Sequence, residues 1–469
     1  MSSLYFQNND LRSPNLSIYR IGNDTQRRLH MLSKTLEHEM INHLIELVNI
    51  PSVIAETEGG YPFGKNIDNA LKCILDIARA LGFNTYYDPN GYYGYAEIGS
   101  GETLIGILGH VDVVPAGDES LWRYHPFEAT IIDDKLYGRG VEDDKGPLLS
   151  TLYAMKALID EGHQLNHRFR FIFGTDEETH WRGIKRYVEE QEVPRFSFTP
   201  DASFPVIFAE KGLLQLSIKS NEGVPYTFEG GTTLNAVPES AVYSGPGVQT
   251  IEKKLKKLGF DYENEGDQLI VIGKQAHAAK PENGINAIAR LAMAIDDESS
   301  LIKFINERIA LAIHGSLIYG HCKDELSGKL TLNMGKITMD ERGQQLGLDI
   351  RYPVTFTEKY ILEGIKRNAE KYHLDVTVID AMDAIHHSLT SSLVKKLVDA
   401  YESVTGLDGT PIAIGGATYA RAIDSCVAFG ARFPGAKSTA HQKDEHVKLE
   451  NLMKSVQIYK EAIKNLDKA

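Results

Sequence analysis

Thr103-Leu104-Ile105-Gly106-Ile107-Leu108 carries no charge and runs straight into Gly109-His110-Val111-Asp112. A short apolar run bounded by polar residues reads as a strand buried on both faces, the kind found in parallel sheets. Its carboxyl end delivers His110 and Asp112. The same event recurs twice. Arg168-Phe169-Arg170-Phe171-Ile172-Phe173 leads into Asp176-Glu177-Glu178, and Phe196-Ser197-Phe198-Thr199 leads into Pro200-Asp201. Helical spacing fills the gaps, over Lys145 to Ile159 and over 179–190. Strands alternating with helices mean an α/β sheet, and sites in such sheets lie at the carboxyl ends of the strands.

Working outward, residues 33–49 read as an amphipathic helix, with Leu32, Leu36, Met40, His43, Leu44 and Leu47 three or four apart and Pro51 beyond its end. After residue 206 the texture changes. Strand signals fall at 212–219, 240–244, 268–273, 329–337 and 346–352, with helices near 248–258, 284–313 and 357–371. That pattern predicts an antiparallel sheet with helices on one face, an α+β unit inserted into the first. The chain then returns to helix, strand and a closing helix at 447–466. The expected architecture is an α/β catalytic domain, with a mainly parallel sheet flanked by helices, at 30–205 and 382–469, and an α+β lid at 206–381. Residues 1–29 read as a disordered extension outside the fold.

Composition narrows the function. The chain has 64 acidic and 50 Lys/Arg residues, a formal charge of −14, which argues against nucleic acid as a partner. No run of eighteen apolar residues exists, so no membrane span is expected. The N-terminus lacks the basic and apolar regions of a secretory signal. Cys73, Cys322 and Cys426 stand far apart in no metal-ligand spacing, as scattered thiols in a reducing cytoplasm do.

The strand reading points Asp112, Asp143, Glu177, Glu178 and Asp201 at one crevice. Like charges raise one another's pKa, so five carboxylates there need cations to stay ionised. With His110 and His441 nearby, the mixed His and carboxylate donors suit zinc, manganese or cobalt better than calcium or magnesium. One zinc needs only three protein ligands. The surplus of carboxylates therefore predicts two metal ions sharing a bridging carboxylate. Taken singly each fragment is weak: most H-x-D tripeptides are surface or cap residues, and a Glu-Glu pair usually opens a solvated helix. Their joint occurrence, in order and at strand ends, carries the argument.

Gly109-His110-Val111-Asp112-Val113-Val114-Pro115, Tyr137-Gly138-Arg139-Gly140-Val141-Glu142-Asp143-Asp144-Lys145-Gly146-Pro147 and Gly174-Thr175-Asp176-Glu177-Glu178-Thr179 resemble signature blocks of the aminoacylase/carboxypeptidase G superfamily of dinuclear metallopeptidases. Pro200-Asp201-Ala202, Gly273-Lys274-Gln275-Ala276-His277-Ala278 and Ala440-His441-Gln442-Lys443-Asp444-Glu445 continue the match over roughly residues 33–466. Asp349-Ile350-Arg351-Tyr352-Pro353 and Gly415-Gly416-Ala417-Thr418-Tyr419-Ala420-Arg421 are most similar to the carnosinase-like bacterial dipeptidase V group. Ala417 departs from the glycine that relatives often carry there.

The resemblance implies roles. His110 and Asp201 would hold one metal, Glu178 and His441 the other, and Asp143 would bridge both. Glu177 would be the general base, and Asp112 would orient His110. A cis peptide is implied between Asp143 and Asp144. His277 and Asn235 would polarise the scissile carbonyl, and Arg351 would grip the substrate carboxylate. Gly416 and Arg421 are further candidate substrate contacts, Arg421 being readable equally as a structural arginine. The expected reaction is hydrolysis of a dipeptide amide bond by a monomer holding two divalent ions, zinc first, with a small peptide as partner. The rivals are an N-acyl-amino-acid amidohydrolase and a non-catalytic binding protein, and retention of Glu177 weighs against the latter.

Overall fold

The computed structural model describes residues 33–55 and 60–468. The expected extension at 1–29, and Leu32, lie outside them. The protein is built around two large sheets that share no strand.

The first sheet runs in the order Asn84–Tyr87, Gly94–Gly99, Arg168–Gly174, Leu104–His110, Phe196–Thr199, Cys426–Phe429, Val206–Glu210, Ile385–His386. At its centre the strands Arg168–Gly174, Leu104–His110, Phe196–Thr199 and Cys426–Phe429 are mutually parallel. Every residue of Leu104–His110 is buried, as its uninterrupted apolar run requires. Along Arg168–Gly174 the faces separate cleanly. Phe169, Phe171 and Phe173 enter one apolar cluster, while Ile172 joins a second cluster with Leu108 on the other side. Truncating a buried phenylalanine such as Phe171 to alanine costs about 3–5 kcal/mol.

Behind the sheet lies the helix Lys145–Asp160, buried over most of its length between Lys34–Val48 and Leu449–Leu466. It is apolar nearly all round, which is the pattern of a core helix rather than a surface one. It comes so close to the central strand that a Cβ at Gly109 would run into Asp144 and Leu148. Only glycine fits immediately before His110.

The second sheet is antiparallel, in the order Tyr262–Asn264, Gln268–Ile272, Ser240–Ser244, Thr227–Gly230, Thr331–Asp340, Gly343–Tyr352, Gly212–Ser220, Asp375–Met382. Leu214, Leu216 and Ile218, with Leu346, Leu348 and Ile350, pack against residues of the helices Val248–Leu258, Ala287–Ala294 and Glu358–Ala369 in one cluster. The intervening Gln215, Asp349 and Arg351 stand on the opposite face, by the period of a strand.

Three expectations need correction. The sheets change over at Lys211 rather than at 206, because Val206–Glu210 pairs in the first sheet with Cys426–Phe429 and Ile412–Ile414. The helix expected over 284–313 is broken into Ala287–Ala294, Ser300–Phe304 and a wider turn at Ile305–Ile309. Asp297 causes the first break: its Oδ1 takes the Ser299 N–H in a local turn, and its Oδ2 is held by the Tyr226 hydroxyl. The strands Asn84–Tyr87, Gly94–Gly99, Thr227–Gly230 and Asp375–Met382, of which the first and last lie at sheet edges, were not read from the sequence.

Candidate metal centre

His110 ends its strand completely buried. Residues two apart at a strand end share a side, so Asp112 returns beside it, with Oδ1 3.4 Å from His110 Nδ1. Asp112 Oδ2 accepts the Glu178 backbone N–H at 3.1 Å. His110 Nδ1 hydrogen-bonds the Asp112 backbone carbonyl at 3.0 Å, so this one residue orients the histidine while its carboxylate fixes the loop of the neighbouring strand.

On its other side, His110 Nε2 faces Asp143 Oδ1 at 3.0 Å, Asp201 Oδ2 at 3.6 Å and Glu177 Oε2 at 4.0 Å. Across Asp143, its Oδ2 lies 3.1 Å from His441 Nε2, which is 2.9 Å from Glu178 Oε1. The five expected ligands fall into two triads, His110–Asp143–Asp201 and Asp143–Glu178–His441, each with ligand atoms within 4.8 Å of one another. Asp143 belongs to both. Glu177 stands in the same crevice, grouped with His110 and Glu178 but outside both Asp143 triads. Donors of this kind, imidazole with carboxylate, fit divalent zinc, manganese or cobalt.

The charge balance says the same. Burial opposes the ionised form of Asp143, yet hydrogen bonds from His110 and His441 hold its carboxyl well below the usual carboxylate range. Burial likewise opposes a charged His110, but Asp112, Asp143 and Asp201 raise it well above an ordinary histidine. Hydrogen bonds to Asp143 and Glu178 push His441 up to about 10. The carboxylates draw positive charge into the crevice. Protons answer that demand in the metal-free protein, and ions binding there displace them. Glu177 differs: burial first, then its acidic neighbours, push it well above the carboxylate range.

Two loops carry Asp143 and His441, and each grips the other. Glu445 Oε1 accepts the backbone N–H groups of Gly140, Glu142 and Asp143, while Oε2 pairs with Arg139 Nη1 at 2.6 Å. In return, Glu142 accepts from the Ser438 hydroxyl at 2.8 Å and from both the N–H and hydroxyl of Thr439. His441 itself sits at φ +62°, in the left-handed region. The Asp143–Asp144 peptide is cis, as the resemblance implies. Sequence reasoning missed Glu142 and Glu445 as site residues. Their position beside Asp143 and inside the His441 block was the available signal.

The expected substrate groups assemble separately. The short ladder Ala236–Val237 with Ala276–His277 pairs His277 with Ala236, and the Ala278 N–H bonds the Asn235 carbonyl. Both Asn235 and His277 are exposed. His277 Nδ1 accepts the Ala279 N–H at 3.1 Å, which leaves the proton of a neutral ring on Nε2. Although the residue is exposed, partial desolvation by the protein around it, then the charge of Arg351, lowers the His277 pKa. Arg351 is buried: Asp349 takes its Nε and Nη2 at 2.7 and 2.9 Å, and Nη1 reaches the Gly415 carbonyl at 3.3 Å. Gly416 follows in that loop, partly exposed. Among the described residues no hydrogen bond or ion pair joins His277 or Arg351 to the metal-ligand cluster.

Arg421 was open to two uses. Expected among the substrate contacts, it is engaged inside the protein, with Nε on Glu210 Oε2 at 2.6 Å, Nη2 on the Lys211 carbonyl at 2.6 Å and Nη1 on the Asp383 carbonyl. Three of its five N–H groups are thereby engaged inside the protein, as a structural arginine's are. Sequence could not distinguish the two uses, because both need the same guanidinium.

Comparison with known proteins bears on the family and the fold. The pattern of peptidase family M20/M25/M40 matches residues 106–465. YtjP of Bacillus subtilis (strain 168), provisionally named a dipeptidase, is 36% identical over 459 residues, covering 92% of this chain and 98% of the relative. A Staphylococcus haemolyticus protein named in the same way is 33% identical, covering 92% and 97%. Among solved structures, human carnosine dipeptidase 1 superposes with a TM-score of 0.60 at 15% identity, over 93% of this chain and 97% of that one. Aminopeptidase PepT of Bacillus cereus does so at 0.59 and 16% identity, over 92% and 98%. These structural likenesses speak for a shared fold. With most of its length matched and its acidic crevice at the expected strand ends, the chain belongs to peptidase family M20/M25/M40.

Proposed function

We propose that the protein is a two-metal dipeptidase, and the observation that carries this is Asp143 standing between His110 and His441 at 3.0 and 3.1 Å. His110 and Asp201 would hold one ion, Glu178 and His441 the other, with Asp143 shared. Such ions, when bound, supply Lewis-acid activation of water and of the scissile carbonyl. Glu177 is the proton carrier. Its raised pKa suits a group that takes a proton from the attacking water and hands it to the departing amine. Asp112 keeps His110 in one tautomer.

The second sheet and its helices would act as a lid that brings His277 over the site. There the neutral ring offers its Nε2–H to the carbonyl oxygen, with Asn235 beside it. Arg351, oriented by Asp349 and placed against Gly415, would mark the end that receives the substrate carboxylate, next to Gly416. A closed lid also limits substrate length and excludes water, which favours dipeptides over long chains. The three free cysteines suit a reducing cytoplasm. Among the described residues no helix is long and apolar enough to cross a membrane.

The test is direct. Protein stripped of metal, then reloaded with zinc, manganese or cobalt in turn, should bind two ions per chain and hydrolyse dipeptides faster than N-acyl amino acids. Binding that stops at one ion overturns the two-metal centre. A preference for N-acyl amino acids overturns the substrate and makes the protein an amidohydrolase.

A further inference from the structure

The chain passes between its two sheets only twice among the described residues. It leaves through Lys211, between Val206–Glu210 and Gly212–Ser220, and returns through Asp383, between Asp375–Met382 and Ile385–His386. Arg421 donates to the backbone carbonyl of both, through Nη2 to Lys211 and Nη1 to Asp383. Its Nε is held by Glu210, the residue before the first crossing. Both side chains of this pair are almost fully buried, 6% and 2% exposed. Breaking such a pair leaves a charge stranded out of water, so the guanidinium is fixed in place.

The segment that carries Arg421 touches everything the crossings connect. Ile412–Ile414 runs parallel to Val206–Glu210, and the Ile414 carbonyl accepts the Lys211 N–H. Gly415 then meets the second sheet twice: its carbonyl accepts from Arg351, and a Cβ there would lie 3.0 Å from the Ala279 Cβ, two residues past His277. Thr418 bonds Glu210 through both its N–H and its hydroxyl. Tyr419 is fully buried and sets its ring edge-on to His110, with centroids 6.0 Å apart. One short stretch therefore reaches the metal crevice, the candidate substrate groups and both crossings.

We infer that Arg421 is the positioning residue of this seam: by tying Lys211 to Asp383 it sets the angle at which the second sheet carries His277 and Arg351 over the metal crevice. A planar fork can hold two carbonyls and a carboxylate at once, which a lysine ammonium on a flexible stem cannot do in the same geometry. The inference rests on the dipeptidase reading for its activity readout only.

The experiment places spin labels at Glu189→Cys on the first unit and Lys257→Cys on the second, both exposed. The native thiols Cys322 and Cys426 are buried, and burial pushes Cys73 up to about 12, so the introduced sites label first. Pulsed electron-spin distances, metal stoichiometry, kcat and KM are measured in the full chain. Arg421→Lys keeps a partner for Glu210 but loses the double tie. It should widen the distance distribution and lower kcat by about tenfold to a hundredfold, the scale of a small misplacement of reacting groups. Metal stoichiometry should not change. If Arg421→Lys does not fold, Glu210→Gln combined with Arg421→Gln removes both charges together and takes its place. An unchanged distribution, whether KM rises alone or nothing changes, overturns the inference, the first result returning Arg421 to substrate binding. A widened distribution in a protein whose parent hydrolyses no dipeptide upholds the seam and fails the dipeptidase reading instead.

Discussion

Glu142 Oε2 accepts two hydrogen bonds from Thr439, one from its backbone N–H and one from its hydroxyl, each at 2.7 Å. The contact spans almost the whole catalytic half of the sequence, and it joins the residue before Asp143 to the loop that ends in His441. Together with Glu445 on the far side of His441, it ties down an exposed loop in which His441 takes a left-handed conformation.

Glu142→Ala should therefore weaken the ion held by Glu178 and His441 by about 10–100-fold, the range found when a group supporting a metal ligand is removed. The ion at His110 and Asp201 should bind as before. Titration of the metal-free protein, followed by calorimetry, separates the two sites. Equal weakening of both would show that Glu142 supports the fold generally.

The neighbours Glu177 and Glu178 should part company on mutation. Glu177→Ala should keep two ions and lose about 10²–10⁴-fold in kcat, as expected for removal of a general base. Glu178→Ala should lose one ion first and activity as a consequence. Metal analysis beside kinetics checks this, and equal metal loss in the two variants would reverse the assignment.

His277 should titrate below 6.5. Partial desolvation disfavours the imidazolium and the Arg351 charge repels it, so both influences lower the folded-state pKa. The sign follows: the unfolded chain binds the proton more readily, so this contribution to stability is present above pH 6.5 and is lost as pH falls through the folded value. Protonation also costs Nδ1 its bond from the Ala279 N–H. Nuclear magnetic resonance of ring-labelled histidine measures the value directly. A pKa at or above 6.5 would contradict the neutral donor assigned to Nε2.

The second unit should serve its own chain. The monomer reading predicts that His277→Ala chains mixed with Glu177→Ala chains stay inactive. Recovery of activity on mixing would mean that His277 acts across a subunit boundary.

Much of the site was legible because strand ends are. His110, Glu177, Glu178 and Asp201 each follow an apolar run whose burial fixes its direction, and the carboxyl ends of parallel strands converge whatever the sequence between them. Asp143 precedes a core helix, and its place followed from that. His441 is different. It lies on an irregular loop, where no periodicity reports position, so its residue type marked it as a candidate donor and the resemblance gave it a role.

What the amino-acid order determined alone was therefore the α/β class, the antiparallel second sheet and the kinds of donor gathered in the crevice, since periodicity and residue chemistry are local properties. What only the tertiary structure decided was which polar groups are already spoken for. Arg421 reads in sequence as either a substrate contact or a structural arginine, and folding engages it with Glu210 and two carbonyls. Glu142 and Glu445 were given no role by the sequence, and folding turns them onto backbone N–H groups of each other's loops. The reason is physical: a buried polar group must find its partner wherever the chain brings one, and most of those partners lie hundreds of residues away, where no local pattern can show them.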